Sequence, residues 1–206
     1  MTVNSVVDDV GQGGQIDAVL QSRSTREAVA ERSYWHPNGF LKIVLDGCSG
    51  QSQVRLHVWP SPVRDDDPHD HAWRYRSQVL AGALLEVRYD EVGPGLGAEL
   101  MWRHTYRPSG PGRYQLDAPV LVNLREVERR VYLTSMASHG DATRIHRFTP
   151  AITPAVTLLA VGPPQQAHSS VYRREAVAEQ VVSPRPTTPG EVGTWVEFAR
   201  AAQCST

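Results

Sequence analysis

In the stretch PHDHAWRYRSQVLAG, residues 68 to 82, His69 and His71 stand two positions apart at the head of a strand-like run. Alternate residues of a β-strand share a face, so His69, His71, Trp73 and Tyr75 project to one side and Asp70, Ala72, Arg74 and Arg76 to the other. Two imidazoles so placed can take neighbouring positions around one divalent ion, at about 2.0–2.1 Å, if another strand supplies a third donor. The same spacing is also met by two polar residues that merely share a sheet face.

Further candidates lie close by in the chain. His57, in RLHVW, alternates with Arg55 and Trp59. If that face lines a barrel, His57 can donate to a substrate or support a metal ligand, although a histidine there is more often hydrogen-bonded within the core. Arg55 is the preferred substrate anchor, because its planar fork suits a carboxylate; pairing with Glu86 or Asp90 is the structural alternative. Trp59 and Trp73 can wall a pocket or simply fill the core. His104, in MWRHTY, sits among bases and reads as solvated, while His36 and His168 read as loop or edge residues.

The elements that must position these groups are mostly strands. FLKIVLD (40 to 46) and QVRLHVW (53 to 59) alternate and are joined by the turn residues of DGCSGQ, which predicts an antiparallel hairpin. Strand-like segments follow at 71–80, 83–90, 99–106, 113–123, 129–134, 143–149, 155–161 and 168–174, punctuated by EVGPGLG, RPSGPG and VGPP. About ten short strands without helical patterns between them predict a sandwich or barrel. Ser24 and Glu27 make a capping box for a short N-terminal helix. Thr188, Pro189 and Glu191 make another for a C-terminal helix, EVGTWVEFARAA, which presents Trp195, Phe198, Ala199 and Ala202 to the barrel or to a second subunit of a homodimer. The expected organisation is a flexible segment over 1–14, one barrel domain with its helix over 15–175, and a proline-rich connector with the last helix over 176–206.

With 21 basic and 22 acidic side chains the net charge is −1, which gives no field for nucleic acid or an anionic membrane. No run approaches the roughly 18 apolar residues of a membrane span, and the acidic amino terminus does not read as a secretory signal, so a cytoplasmic protein is expected. Cys48 and Cys204 fit no metal or redox spacing. Lys42 is the only lysine, a bias that suggests a GC-rich genome. GQGGQ lacks the strand-then-helix setting of a dinucleotide loop.

HDHAWRYRSQVLAG resembles the first motif of the cupin superfamily: HxH, three or four residues, a glutamate, six residues, a glycine. His69, His71 and Gly82 match that frame, Tyr75 stands at the glutamate position, and Val63 stands where the motif's initial glycine belongs. The resemblance, over about residues 40 to 175, implies an all-β double-stranded β-helix, or jelly-roll barrel, with its site inside one end. Loss of the carboxylate is similar to the three-histidine pattern of cysteine dioxygenase-like cupins, which implies that Tyr75 lies beside the metal and outside its ligand set. The second cupin motif has no clear counterpart. His146, on a strand followed by an apolar strand ending in Gly-Pro, is preferred as third ligand, with His139 the alternative.

Three neutral imidazoles leave an ion two or three open positions, as catalysis requires. The function expected from this frame is an Fe(II)- and O2-dependent oxygenase acting on a small polar metabolite or amino-acid derivative, within bacterial specialised metabolism, with Tyr75 and His57 as catalytic side chains. Zn(II), Ni(II) or Mn(II) are the alternative ions; a non-redox isomerase, lyase or nitrogen–nitrogen bond-forming cupin, and a barrel that only binds a small molecule, are the alternative functions.

Overall fold

The computed structural model describes residues 14–204 except 37, 48–50, 64–66, 96, 111–112 and 177–183. Residues 1–13 of the expected flexible segment, Cys48 and much of the connector lie outside the described residues, while Gly14 begins a helix. Two helices, α1 (Gly14–Gln21) and α2 (Arg23–Glu31), lead into the strands β1 (Tyr34–Trp35), β2 (Leu41–Asp46), β3 (Gln53–Trp59), β4 (Trp73–Val92), β5 (Ala98–Gly110), β6 (Arg113–Leu116), β7 (Val120–Leu133), β8 (Ala137–Gly140), β9 (Ile145–Pro164), β10 (Ser169–Arg173) and β11 (Arg185–Pro186), and α3 (Pro189–Gln203) follows.

All pairings are antiparallel, and the long strands β4 and β9 divide their lengths between two groups of partners. The first halves of β4 and the second half of β9 continue into β3, β2, β1 and β11. The remaining halves belong to a circuit. β10 pairs with β5, β5 with β7, β7 with Ala83–Val92 of β4, and that segment with β9 from Ile145 onward. His69 then bridges both His146 of β9 and Val171 of β10, which closes the ring. This is the double-stranded β-helix expected from the sequence, with helices at both ends. The switch between the two halves of β4 falls at register shifts from Val79 to Leu84, around Gly82. Gly82 has φ +71°, and a Cβ there would lie 2.5 Å from the carbonyl oxygens of Ile152 and Pro154, so only glycine fits the bend.

Strand alternation sorts the first sheet into two faces. Leu41, Ile43, Leu56, Val58 and Val156 point outward into a core completed by Ile16 and Val19 of α1, Val29 of α2, and Val192 and Val196 of α3. Lys42, Arg55, His57, Trp59 and Thr157, the residues between them, therefore take the inner face. The C-terminal helix is thus folded onto its own barrel. Its expected capping box is present, with the Thr188 hydroxyl and the Glu191 carboxylate each accepting from the other's backbone.

Three expectations of element boundaries are corrected. The N-terminal cap is Ser22, whose hydroxyl accepts from Thr25 N, two residues before the expected Ser24, and a helix over 14–21 precedes it. The expected strands 71–80 and 83–90 merge into one bent strand that starts at Trp73, and 143–149 and 155–161 into one that starts at Ile145, because a glycine or proline within a barrel strand bends it without ending its ladder. The segment 113–123 divides between β6 and β7.

Candidate metal centre

Residues 69–78 lie antiparallel to 137–146 in one register, with Gln78 opposite Ala137, Tyr75 opposite Gly140 and His69 opposite His146. This pairing brings His146 to the histidine pair. The segment of His69 is pinned on both edges: its amide donates to the His146 carbonyl at 2.8 Å, and Asp70 N and His71 N donate to Ser170 O and Ala142 O. Although only Trp73 onward is continuous strand, the side chains of His69, His71, Trp73 and Tyr75 still converge.

One ligand atom from each of His69, His71 and His146 lies within 4.8 Å of the others. His71 Nε2 and His146 Nε2 are 3.1 Å apart. Two nitrogens bound to one ion at about 2.0–2.1 Å stand roughly 2.9–3.4 Å apart for octahedral to tetrahedral angles, so this separation fits a shared cation. The remote nitrogens of His69 and His146 are hydrogen-bonded. His69 Nδ1 donates to the Asp67 carbonyl at 2.9 Å, which leaves Nε2 as its lone-pair nitrogen. His71 stacks on Trp73 with centroids 4.1 Å apart and planes at 12°.

His146 is 1% exposed and is held through its Nδ1, 3.2 Å from Glu86 Oε1 and 2.9 Å from the Tyr75 hydroxyl. Glu86 is fully buried; Arg88 Nε and the Tyr132 hydroxyl each donate to its Oε2 at 3.0 Å, and Arg88 also reaches Glu128. Burial pushes the Glu86 carboxyl up, but the hydrogen bonds from His146 and Arg88 outweigh it and bring it down to about 2. An ionised carboxylate at Nδ1 requires Nδ1–H, which turns the Nε2 lone pair towards His71: the carboxylate–histidine arrangement that fixes a metal ligand's tautomer. The Tyr75 oxygen then accepts from the same N–H and keeps its own proton free to donate. Burial, then the Glu86 charge, raises the Tyr75 phenol well above its ordinary value, so it stays protonated.

Burial, then the neighbouring His146, lowers His69 to about 3, and burial with His69 and His146 carries His71 well below the ordinary range. Neutral imidazoles are the form that binds a metal. His139, the alternative third ligand, is exposed, paired with Arg76 on the outward face and outside this group. Alternation separates it from the ligands.

Arg55, His57 and Trp59 share one face of β3. Arg55 is 8% exposed; its Nε donates to Gln53 Oε1 at 2.7 Å, and its Cζ sits 4.9 Å from the Trp73 ring centre. The expected alternative partner, Glu86, serves Arg88 and His146 instead. His57 lies between Phe40, at 4.8 Å, and Trp59, at 6.0 Å. Trp59 belongs to a core cluster with Leu84 and Ala155. His104 is a correction: it is fully buried, with Nε2 donating to the Glu175 carbonyl, because its strand pairs with β10.

Sequence reasoning missed Glu86 as part of the site and missed Gly140. An acid inside the apolar run ALLEVRY is the signal that Glu86 carried. A Cβ on Gly140 would lie 2.2 Å from Tyr75 Cε1, so the bare backbone there is what admits the ring.

No family model matches this chain, and no curated protein matches it. Among solved structures it is similar to the hydroxypropylphosphonic acid epoxidase of S. wedmorenis, at 13% identity over 63% of this chain and 53% of that one, with a TM-score of 0.39. It is also similar to a cupin-superfamily protein of Desulfitobacterium hafniense DCB-2 (9% identity, 66% and 88% covered, TM-score 0.35) and to an oxalate oxidase (10%, 82% and 73%, 0.39). The chain spans about half the length of the epoxidase.

Proposed function

We propose that this all-β barrel of cupin type is a metal-dependent oxidative enzyme, an Fe(II)- and O2-dependent oxygenase acting on a small polar metabolite or amino-acid derivative. One observation carries the reading: among the described residues, three imidazoles from neighbouring barrel segments gather their nitrogens within 4.8 Å of one another. Such a set suits iron, zinc or nickel and leaves positions for reactants. Iron held there would supply the one-electron chemistry with dioxygen that no side chain of this chain offers.

The chain's own residues have separable tasks. Glu86 holds His146 in the tautomer that turns Nε2 inward, and Asp67 O does the same for His69. Tyr75, kept as a phenol and already accepting from His146, presents its O–H proton as a donor to a substrate oxygen or nitrogen. Trp73 backs His71 and, with Arg55 over its ring, keeps water from that side of the site.

Elemental analysis by mass spectrometry of protein purified without added metal is expected to find close to one iron per chain, absent in a His69→Ala, His71→Ala double variant. The iron-loaded protein is expected to consume dioxygen with one or more of a panel of amino acids and their derivatives. Protein that holds no metal, or a double variant that keeps it, overturns the reading. Stoichiometric zinc or nickel with turnover that consumes no dioxygen replaces it by Lewis-acid chemistry in the same cage.

A further inference from the structure

The three histidines share the inside of the barrel with a set of rings that the chemistry above does not use. Phe148 stands two residues after His146 and directly opposite Glu86, so it faces inward with both, and its ring centre is 5.0 Å from that of His146. Phe40, two residues before Lys42, brings its ring to 4.8 Å from His57 and 5.3 Å from Trp59, both on the inner face. His36 stacks on Phe40, 4.6 Å away with planes at 16°. Phe40 and Phe148 pack against one and the same cluster, Trp59, Leu84 and Ala155, although Phe40 comes from the β2–β3 side of the barrel and Phe148 from the first half of β9.

These rings are not closed core. Trp59, Leu84 and Ala155 are at most 5% exposed, whereas Phe40 and Phe148 keep accessible surface. So do His36 and His57, although both lie deep enough for burial to be the chief cause of their lowered pKa. An inward-facing side chain deep in a barrel meets solvent through the barrel's own interior. Depth combined with accessible surface therefore marks the lining of a chamber, whose floor is Trp59, Leu84 and Ala155 and whose sides, among the described residues, include Phe40 with His57 and Phe148 with His146.

We infer that this chamber is a ring-binding subsite, and that the substrate of the three-histidine site carries a flat aromatic ring held between Phe40 and Phe148. Rings gain from meeting the faces and edges of other rings beyond the area they bury. The lining offers carbon rings at Phe40, Trp59 and Phe148, and imidazoles at His36 and His57 that burial keeps neutral. An aliphatic ligand would be served as well by leucine or valine at 40 and 148. Contact of Phe148 with His146 sets the bound ring beside a metal ligand. The inference rests on the proposed function for its view of the barrel as a substrate chamber and narrows the substrate to an aromatic amino-acid derivative, but its test needs no metal.

The chain has three phenylalanines, and the third, Phe198, lies on α3 against Trp195. Protein labelled with 13C-phenylalanine therefore carries two reporters in the chamber and one control outside it. Chelator-stripped and zinc-loaded protein are each titrated with N-acetyl-phenylalanine amide and with N-acetyl-cyclohexylalanine amide, which are alike in size and charge and differ in the ring alone. Saturable shifts at Phe40 and Phe148 are expected with Phe198 unmoved, and the cyclohexyl compound is expected to bind at least tenfold more weakly. Phe148→Leu is expected to weaken binding of the aromatic compound at least fivefold and Phe148→Tyr less than twofold; should the leucine variant lower the melting temperature, Phe40→Leu takes its place. Ring binding by a protein that takes up no metal supports the subsite while removing the metal reading; metal uptake without ring binding does the reverse. Equal affinity for the two compounds, shifts at Phe198 alone, or no saturable shift overturns the subsite.

Discussion

The Glu86 carboxylate lies 3.2 Å from His146 Nδ1, on the opposite nitrogen from the one that faces His71. His146 thus has a carboxylate behind it, on the nitrogen that also meets the Tyr75 hydroxyl at 2.9 Å. Glu86→Gln keeps the shape and one acceptor but loses the charge that fixes the tautomer. Metal affinity is expected to fall roughly 10- to 100-fold, read by competition with a chromogenic chelator. Unchanged affinity would show that Glu86 serves only Arg88 and Tyr132.

Alanine at His69, His71 or His146 is expected to cut bound metal from one equivalent to well below half after gel filtration, whereas His139→Ala is expected to keep the full equivalent. The contrast separates the gathered histidines from the exposed one on the outward face. Loss of metal in His139→Ala, with the fold intact by circular dichroism, would contradict the geometry.

Gly140→Ala places a methyl group against the Tyr75 ring, which is 3% exposed and cannot swing into solvent without opening the barrel. Such overpacking costs about 1–3 kcal/mol. The expected result is a lower urea midpoint together with an altered Tyr75 ring signal in NMR. Restoration of the midpoint in Gly140→Ala, Tyr75→Phe would be surprising, since the clash is with ring carbons as well as the hydroxyl.

Acid should destabilise the metal-free protein well before its carboxylates protonate. His36 is lowered to about 4, by burial and then Lys42, and His69 to about 3, both from 6.5. From pH 6.5 downward the unfolded chain binds protons at these sites that the folded chain refuses, so stability falls with pH and is fully present only above 6.5. The loss between pH 7 and 5.5 is about 1 kcal/mol per imidazole, measurable by urea unfolding in excess chelator. Glu86, lowered from 4.5 to about 2, extends the loss below pH 4.5. A flat profile from pH 7 to 5.5 would mean these imidazoles are not buried neutral.

Much of this fold is written locally. Alternation in FLKIVLD and QVRLHVW predicts the β2–β3 hairpin, and Thr188, Pro189 and Glu191 specify the start of the last helix, because turns and caps depend on residues a few positions apart. The two-residue spacing of His69 and His71 is equally local. What the sequence conceals is pairing at a distance. The choice of His146 over His139 depends on which face of a strand meets the pair, a parity fixed by the register of 69–78 against 137–146. Glu86 becomes part of the site because β4 stays paired with β9 beyond its bend at Gly82, which sets Glu86 opposite Phe148 and near His146, and the long strands β4 and β9 read as broken because their bends carry glycine and proline.

The closure of the barrel circuit depends on a few backbone hydrogen bonds around His69, held between His146 on one edge and Val171 on the other. A cation gripped by His69, His71 and His146 would tie the 69–71 segment to β9 across that seam, acting as a clasp on the fold. Amide exchange at residues 69 to 71 should therefore slow markedly on loading, and the empty protein should come apart there first.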